Sequence, residues 1–528
     1  MQTINNKLPD NLEELKAIIL NKDEIISCKD EHITILQEQI RVLKKQIFGS
    51  KSEKRRPDEA EGGVQLHLFN EAEVLVQEKK EETPVTVPEH TRQRPKRKPL
   101  PENLPRVEII EDIEESEKVC ACGAELSRIG EDISEKLDII PAKIQVIRTI
   151  RPKYACKSCE GVESEGPTVK IAPPPAQIIP KGIATPGLLA YVAVSKYADG
   201  LPLYRQEKIF ERIGVDISRS TMAGWMVMVG QGSKTIVELL YKGLHSGPLI
   251  NVDETPVQVL NEPGRANTTK SYMWVFRGGL PDKPIILFKY SETRSGEIPR
   301  EVLAGYSGYC QTDAFSAYDG LEAAHPGIVL VGCFAHVRRN FVKVVDARGK
   351  AAKNKPGSAE VALEYIGRLY KIEKFARERE LSLEQIVSLR REKTVPVLEE
   401  FKAWMDKRIN QTPPKGLLGQ ALNYAVTRWD KITRYIEDGH ITPDNNAAEN
   451  ALRPFVIGRK NWLFAGHPNG AHAAATLYSL IETAKACGLD PYHYLRFLFS
   501  KIPYCRTVED DRALLPQNLT PEMLTAGV

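Results

Sequence analysis

The sequence predicts a multidomain α+β protein. Three observations carry that expectation: an apolar heptad near the start, two close pairs of cysteines, and a run of strands followed by strands alternating with helices. At 528 residues the chain has room for several domains, one of them large enough to bury a full core. No apolar run nears the roughly 18 residues of a membrane span, and the polar start MQTINNKLPDNLEEL does not read as a secretory signal. A cytoplasmic address with no membrane partner is expected.

A net charge of +3 is too small to indicate a partner, but its distribution is uneven. Residues 91–98 (TRQRPKRK) hold five basic side chains in eight, and residues 108–117 hold six acids in ten. Such a basic patch suits phosphate contacts, and it equally suits a solvated linker.

The heptad spans 8–50. Leu12, Ile19, Ile26, Ile33, Ile40 and Ile47 fall on one seam position, with Leu15, Leu36 and Leu43 on the other. Isoleucine at a with leucine at d favours parallel two-stranded coiled coils, although Lys22 and Lys29 interrupt the second position. A dimerising zipper is expected; a lone amphipathic helix packed on its own chain is the other reading. Residues 51–105 read as linker around the short apolar motif VQLHLF (64–69).

Residues 106–170 form a small module around Cys120, Cys122, Cys156 and Cys159, with the strand-like IIPAKIQVIRTIRPKYAC between the pairs. Paired spacing beside five scattered cysteines favours a metal clip over a disulfide framework in a reducing compartment. The proline-rich joint APPPAQIIP (172–180) then leads into a helical region, 181–235. Three helices are expected there, Gly187–Ala198, Leu203–Ile213 and Ser218–Val229, with Ser218 placed to cap the third. The spacing suits a helix-turn-helix whose last helix would present Arg219, Ser220 and Thr221 to DNA. Helical hairpins without that role share it.

From 245 to 348 the pattern turns to strands. LINVDETPVQVL, KSYMWVFRGG and PIILFKYS follow one another as an antiparallel meander. A short helix (GEIPREVLAG) precedes GYCQTDAF, and IVLVGCF runs into the helix AHVRRNFVKVV. Three antiparallel strands, then two linked through helices, is the order of a ribonuclease-H-like mixed sheet. Residues 355–439 read as an all-helical insertion, 440–485 return to the sheet domain with the capped basic helix PDNNAAENALRPFVIGRKNWLF, and 486–528 form a helical tail.

Asp253 follows the apolar LINV, and Asp313 closes GYCQT. In the expected sheet these strands are neighbours, so both carboxylates reach one edge. Glu449 comes from a later helix that can pack beside them. Clustered carboxylates repel unless a cation neutralises them, and oxygen ligands suit Mg²⁺ or Mn²⁺. Two such ions per site, about 3.5–4 Å apart, support in-line phosphoryl transfer.

The motifs QIFGSKSEKRRP, VQLHLFNEAE, the block from CACGAEL to YACKSC, LPLYRQEKIFERIGVDISRSTMAGWM, VDETPV, QTDAFSAYDG, CFAHVRRNF and NNAAENALRP occur in order. Together with AGHPNGAHAAATLYSLIETAKACGLDP they resemble the transposases of the insertion sequence 66 family over nearly the whole chain. The resemblance implies a DDE enzyme with Asp253, Asp313 and Glu449 as catalytic, metal-binding carboxylates, and a four-cysteine zinc module. One departure is that the first cysteine pair is C-x-C, where two residues often separate the ligands. His336, Arg338 and Arg339 match a family motif near the site and are expected to contact the scissile phosphate or flanking DNA. Arg453, one turn after Glu449, is a phosphate candidate or a structural ion pair. The implied activity is binding of transposon terminal inverted repeats, 3′-end cleavage and strand transfer into target double-stranded DNA by a homodimer or higher oligomer. Whether accessory proteins of the same element take part stays open. The alternatives are an inactive or domesticated DNA-binding relative acting as a repressor, and a nuclease on RNA or branched DNA.

Overall fold

The computed structural model describes residues 144–155, 169–313, 316–348 and 357–525, with ten further helical positions scattered between Lys16 and Ile40. The chain divides into two compact units, residues 81–174 and residues 1–80 with 175–528. Of the expected zipper, the described seam residues Ile26, Ile33, Leu36 and Ile40 are helical and about half exposed. The seam lysines Lys22 and Lys29 are helical and exposed as well, while the other seam residues, the linker and all four paired cysteines (Cys120, Cys122, Cys156, Cys159) lie outside the described residues.

In the smaller unit, β1 (Lys153–Ala155) pairs antiparallel with β2 (Val169–Ile171). The longer strand expected upstream does not form: residues 144–152 are irregular and exposed, with Val146, Ile147 and Ile150 in solvent. Alternation alone does not make a strand. It needs a ladder partner, and among the described residues only Lys153–Ala155 has one.

The larger unit opens with α1 (Pro186–Tyr197), α2 (Leu203–Arg212), α3 (Arg219–Gly232) and α4 (Lys234–Leu244). The Ser218 hydroxyl accepts from the Thr221 backbone N–H at 3.1 Å and starts α3. Gly214, at φ +81°, makes the turn before it. Helix α4 was not expected from the sequence.

The central sheet has the order β5-β4-β3-β6-β7. Strands β3 (Leu249–Val259), β4 (Lys270–Leu280) and β5 (Lys283–Ser291) form the antiparallel meander. Strands β6 (Gly308–Gln311) and β7 (Ile328–Val331) add in parallel on the other side of β3. Helix α5 (Glu297–Val302) leads into β6, α6 (Leu321–Ala324) precedes β7, and α7 (Phe334–Arg348) leaves it. The insertion follows as α8 (Ser358–Glu378), α9 (Leu383–Leu389), α10 (Val395–Ile409), α11 (Leu417–Thr427) and α12 (Trp429–Thr433). It has its own apolar core around Phe401, Leu369 and Leu422, continuous with Phe334 and Val337 of α7.

Three further helices return to the sheet: α13 (Asn446–Trp462), α14 (Pro468–Ala486) and α15 (Pro491–Lys501). Helix α13 packs on β3 and β4, and α14 covers β5. That cover solves the problem of an exposed sheet edge. The Ile286 and Phe288 amides of β5 donate to the Thr483 and Ser479 hydroxyls of α14 at 3.0 and 2.8 Å.

Buried Arg390 fastens the insertion to the chain that returns toward α13. It pairs with Glu373 through both side-chain ends (2.9 and 2.7 Å) and donates to the carbonyls of Tyr435, Asp438 and Ile441 at 2.6, 2.9 and 2.8 Å. Removing one partner of such a group strands the others without water. Arg390→Leu is therefore expected to lower unfolding free energy by about 3 kcal/mol, read from the midpoint of urea denaturation; a loss below about 0.5 kcal/mol, typical of a surface site, would contradict this assignment.

Candidate active site

Three buried amides meet where β3, β6 and the start of α13 converge. Asn251 Nδ2 donates to Gln311 Oε1 at 2.9 Å and to Asn445 Oδ1 at 3.1 Å. Asn445 Nδ2 donates to the Val252 carbonyl at 2.8 Å, and Gln311 Nε2 to the Thr442 carbonyl at 2.7 Å. Asn251 and Gln311 are also register partners across the parallel ladder. The start of α13 is thus capped in an unexpected way. Asn445 spends its side chain on the sheet, and the Asp444 carboxylate accepts from the Asn446 backbone N–H at 3.1 Å.

Each amide precedes an acid at a spacing that suits a shared face. Asp253 lies two residues after Asn251, Asp313 two after Gln311, and Glu449 four after Asn445. A period of two along the extended chain and about 3.6 along a helix turns each acid to the side of its amide. Side chains 251, 253 and 255 of β3 share the face toward α13, where Arg459 of that helix donates to Thr255 Oγ1 at 3.0 Å.

Asp253 senses both of the other acids. The Asp253 carboxyl is pushed well above its usual range, first by burial and then by the charges of Glu254, Glu449 and Asp313. Its Oδ1 accepts only a local bond from the Glu254 backbone N–H, at 2.9 Å. Glu449 is 4% exposed, and both its oxygens accept from Arg339 Nη2 at 2.7 Å. Arg339 Nη1 lies 3.0 Å from His336 Nε2. Burial, then the Arg339 charge, lowers the His336 pKa and keeps the ring neutral. Arginine can only donate, so Nε2 accepts and the ring proton sits on Nδ1, 4.0 Å from Glu449 Oε1.

Two expected site residues lie differently. Arg338 is 7% exposed and sits within electrostatic reach of Tyr370 in α8. Adjacent helical positions point about 100° apart, and it is Arg339 that binds Glu449. Arg453 is partly buried on α13. Arg219, Ser220 and Thr221 are exposed at the start of α3, where the Arg219 backbone N–H donates to Glu207 of α2 at 2.8 Å.

A second cluster escaped sequence reading. Glu254, on the opposite face of β3 from Asp253, is buried and accepts from Tyr318 Oη at 2.6 Å and Arg294 Nε at 2.6 Å. Arg294 also reaches Asp313, at 4.0 Å. Burial pushes the Glu254 carboxyl up against the pull of these donors. Tyr318 thereby anchors the chain just beyond Asp313. The signal available was VDET itself, two adjacent acids in an otherwise apolar strand.

As donors, Asp253, Asp313 and Glu449 offer carboxylate oxygens alone. No three such side chains among the described residues are already gathered closely enough to hold an ion, and Glu449 is turned to Arg339.

Against known families, residues 181–473 match the Transposase IS66 family. The chain belongs to the IS66 transposase family. Residues 117–160 match the zinc-finger binding domain of transposase IS66, which spans the four paired cysteines. Residues 35–109 match the Transposase C of IS166 homeodomain, and 479–517 the IS66 C-terminal element. Two relatives are uncharacterized proteins of Sinorhizobium fredii. Protein y4qI is 35% identical over 82% of this chain and 80% of its own length. Protein y4jD is 35% identical over 79% and 81%. No described helix of this IS66 transposase is long and apolar enough to cross a membrane.

The raised Asp253 carboxyl has a signed consequence for stability. A group whose folded pKa exceeds its unfolded value stabilises fully below the unfolded pKa, and that contribution is lost as pH rises through the folded pKa. Asp253→Asn, which cannot ionise, is expected to raise the melting temperature at pH 8 by a few degrees. The gain should vanish near pH 4, where Asp253 is protonated in the folded protein. A melting-temperature difference independent of pH would contradict the raised carboxyl.

Proposed function

We propose that this chain is an active DDE transposase, which binds the ends of its insertion sequence, cleaves 3′ ends and joins them to target DNA. What supports the reading is the placement of Asp253, Asp313 and Glu449, each following a buried amide of one junction, with the charges of Glu449 and Asp313 both raising the Asp253 carboxyl. The strand order β5-β4-β3-β6-β7, antiparallel then parallel, supports a ribonuclease-H-like catalytic domain. Family membership supports transposition as the process.

Divalent metal suits the donor set. Carboxylates alone, concentrated until Asp253 resists ionisation, are what Mg²⁺ or Mn²⁺ prefers. Two such ions would supply charge stabilisation to the attacking and departing oxygens of an in-line displacement. The chain's own groups do the rest. Glu449 would hold metal in place of its bond to Arg339, which would leave a planar guanidinium with two-pronged geometry for a phosphate. His336, neutral with its proton on Nδ1, donates beside it. Arg294, between Glu254 and Asp313, offsets part of the negative charge there. Asp313 is steadied from behind, where Tyr424 Oη donates to its backbone carbonyl at 2.7 Å.

Beyond the catalytic core, the zipper would pair subunits so that two ends meet. The four-cysteine module would bind one Zn²⁺ through Cys120, Cys122, Cys156 and Cys159. The exposed start of α3 would contact terminal-repeat DNA. The cytoplasm, at the nucleoid, is the proposed setting.

The test is strand cleavage and joining on labelled element ends in Mg²⁺. Asp253→Asn and Glu449→Gln should each retain end binding while cleavage falls on the order of 10³-fold, the rate equivalent of several kcal/mol of lost charge stabilisation. Undiminished cleavage by either variant sinks the assignment. Binding without cleavage by the wild-type protein would instead favour a repressor.

A further inference from the structure

Leu463 ends α13 at φ +67° and ψ −52°. That conformation is the strained γ-turn region, rare for any residue with a side chain. After a helix it is the place for glycine. The other non-glycine residues at positive φ among the described residues are Lys181, Asn261 and Glu380, all polar. Leu463 alone is apolar, and its side chain is 64% exposed, so interior packing does not account for it.

The backbone around it is held on both sides. The Leu463 N–H donates to the Arg459 carbonyl at 2.7 Å. The following strand β8 (Phe464–Ala465) pairs in parallel with Gln258 and Val259 of β3. The Leu260 N–H donates to the Ala465 carbonyl at 2.8 Å, and Asn261 Nδ2 to the Gly466 carbonyl at 3.0 Å. These bonds fix the turn and leave two side chains outside it, Leu463 and the 45% exposed Phe464.

The neighbouring sequence suits a polyanion. From Asn450 to Ile481 the chain holds Arg453, Arg459 and Lys460 and no acidic residue. Glu449 and Leu463 lie at opposite ends of one helix, fourteen residues or about 21 Å apart at 1.5 Å per residue. Along B-form DNA that is about six base pairs.

We propose that Leu463 and Phe464 form an apolar wedge that enters the base stack of double-stranded DNA flanking the scissile phosphate. The turn presents the wedge, and the neighbouring cations hold the backbone against it. Apolar side chains inserted at a base step unstack it and bend the duplex. The proposal rests on the DNA-processing reading of the acidic site.

The experiment uses the full-length protein and two fluorescein-labelled 30-bp duplexes of mixed sequence, one fully paired and one with a central mismatched step. A mismatch removes part of the unstacking cost, so wild type should bind it about fivefold more tightly. Leu463→Gly should bind the two duplexes equally, while its melting temperature stays within about 2 °C of wild type or rises, because glycine adopts this φ without strain. Phe464→Ser should lose the preference as well, and Asp253→Asn should keep it. Equal wild-type affinity for both duplexes, or a preference that survives in Leu463→Gly, overturns the wedge and leaves the catalytic reading standing. A fall of more than about 5 °C in Leu463→Gly also overturns it, since the side chain would then serve packing. Failure of the wild type to bind either duplex removes the DNA reading itself.

Discussion

The Asn251–Gln311–Asn445 junction is the contact on which the placement of the acidic site depends. In a desolvated position a carboxamide without partners costs about 1–3 kcal/mol, so each of these three constrains where the other two can be. Asn251 reaches two acceptors on two different elements at once. A one-residue slip of β6 against β3 would break the first bond and turn Asp313 to the wrong face of the sheet. A rotation of α13 would break the second and carry Glu449 with it. The junction couples strand register and helix rotation, the two degrees of freedom that decide whether the acids meet.

Bringing the acids together is electrostatically unfavourable, and the protein meets that cost with named counter-charges. Arg339 takes Glu449, and Arg294 spans Glu254 and Asp313. Asp253 receives no arginine bond among these contacts, and its carboxyl is the one pushed well upward. The strain of the cluster is therefore concentrated on the residue central to it. A site whose members repel is stable only on a frame that cannot relax, and β3 has ladder partners on both sides at Asn251.

The sequence made some of this legible and hid the rest for physical reasons. Alternation and turn residues exposed the meander, and VDET and QTDAF marked acids within one strand and just past the end of another. The amide junction was concealed because Asn251 reads as a polar interruption of an apolar strand, and Asn445 reads as an ordinary helix cap. Its partners are 60 and 194 residues from Asn251, beyond any local pattern. Periodicity could not choose between Arg338 and Arg339, since only the packing of α7 decides which of two neighbours faces the acids. NWLF continued a helical pattern, so the stop at Trp462 was invisible without the pairing of β8 to β3. The heptad and the paired cysteines make strong sequence patterns that lie mostly outside the described residues, so the structure does not test them.

The helical insertion raises a mechanical question: how can Glu449 hold its position after so long a detour from β7? Closing a long loop costs little more than closing a short one, because the entropy grows only with the logarithm of length. What matters is how firmly the loop's ends are joined. Here they are joined repeatedly. The Gly332 N–H donates to the Lys431 carbonyl at 2.9 Å, and the Phe334 N–H to the Pro443 carbonyl at 2.8 Å. The Asn445 N–H donates to Cys333 Sγ at 3.1 Å, and Arg390 binds three carbonyls between Tyr435 and Ile441. The insertion thus leaves the sheet beside β7 and returns within a few residues of the same place. Glu449 is as local to the sheet, mechanically, as if α13 followed β7 directly. That is why the third acid can come from so distant a segment and still act on Asp253.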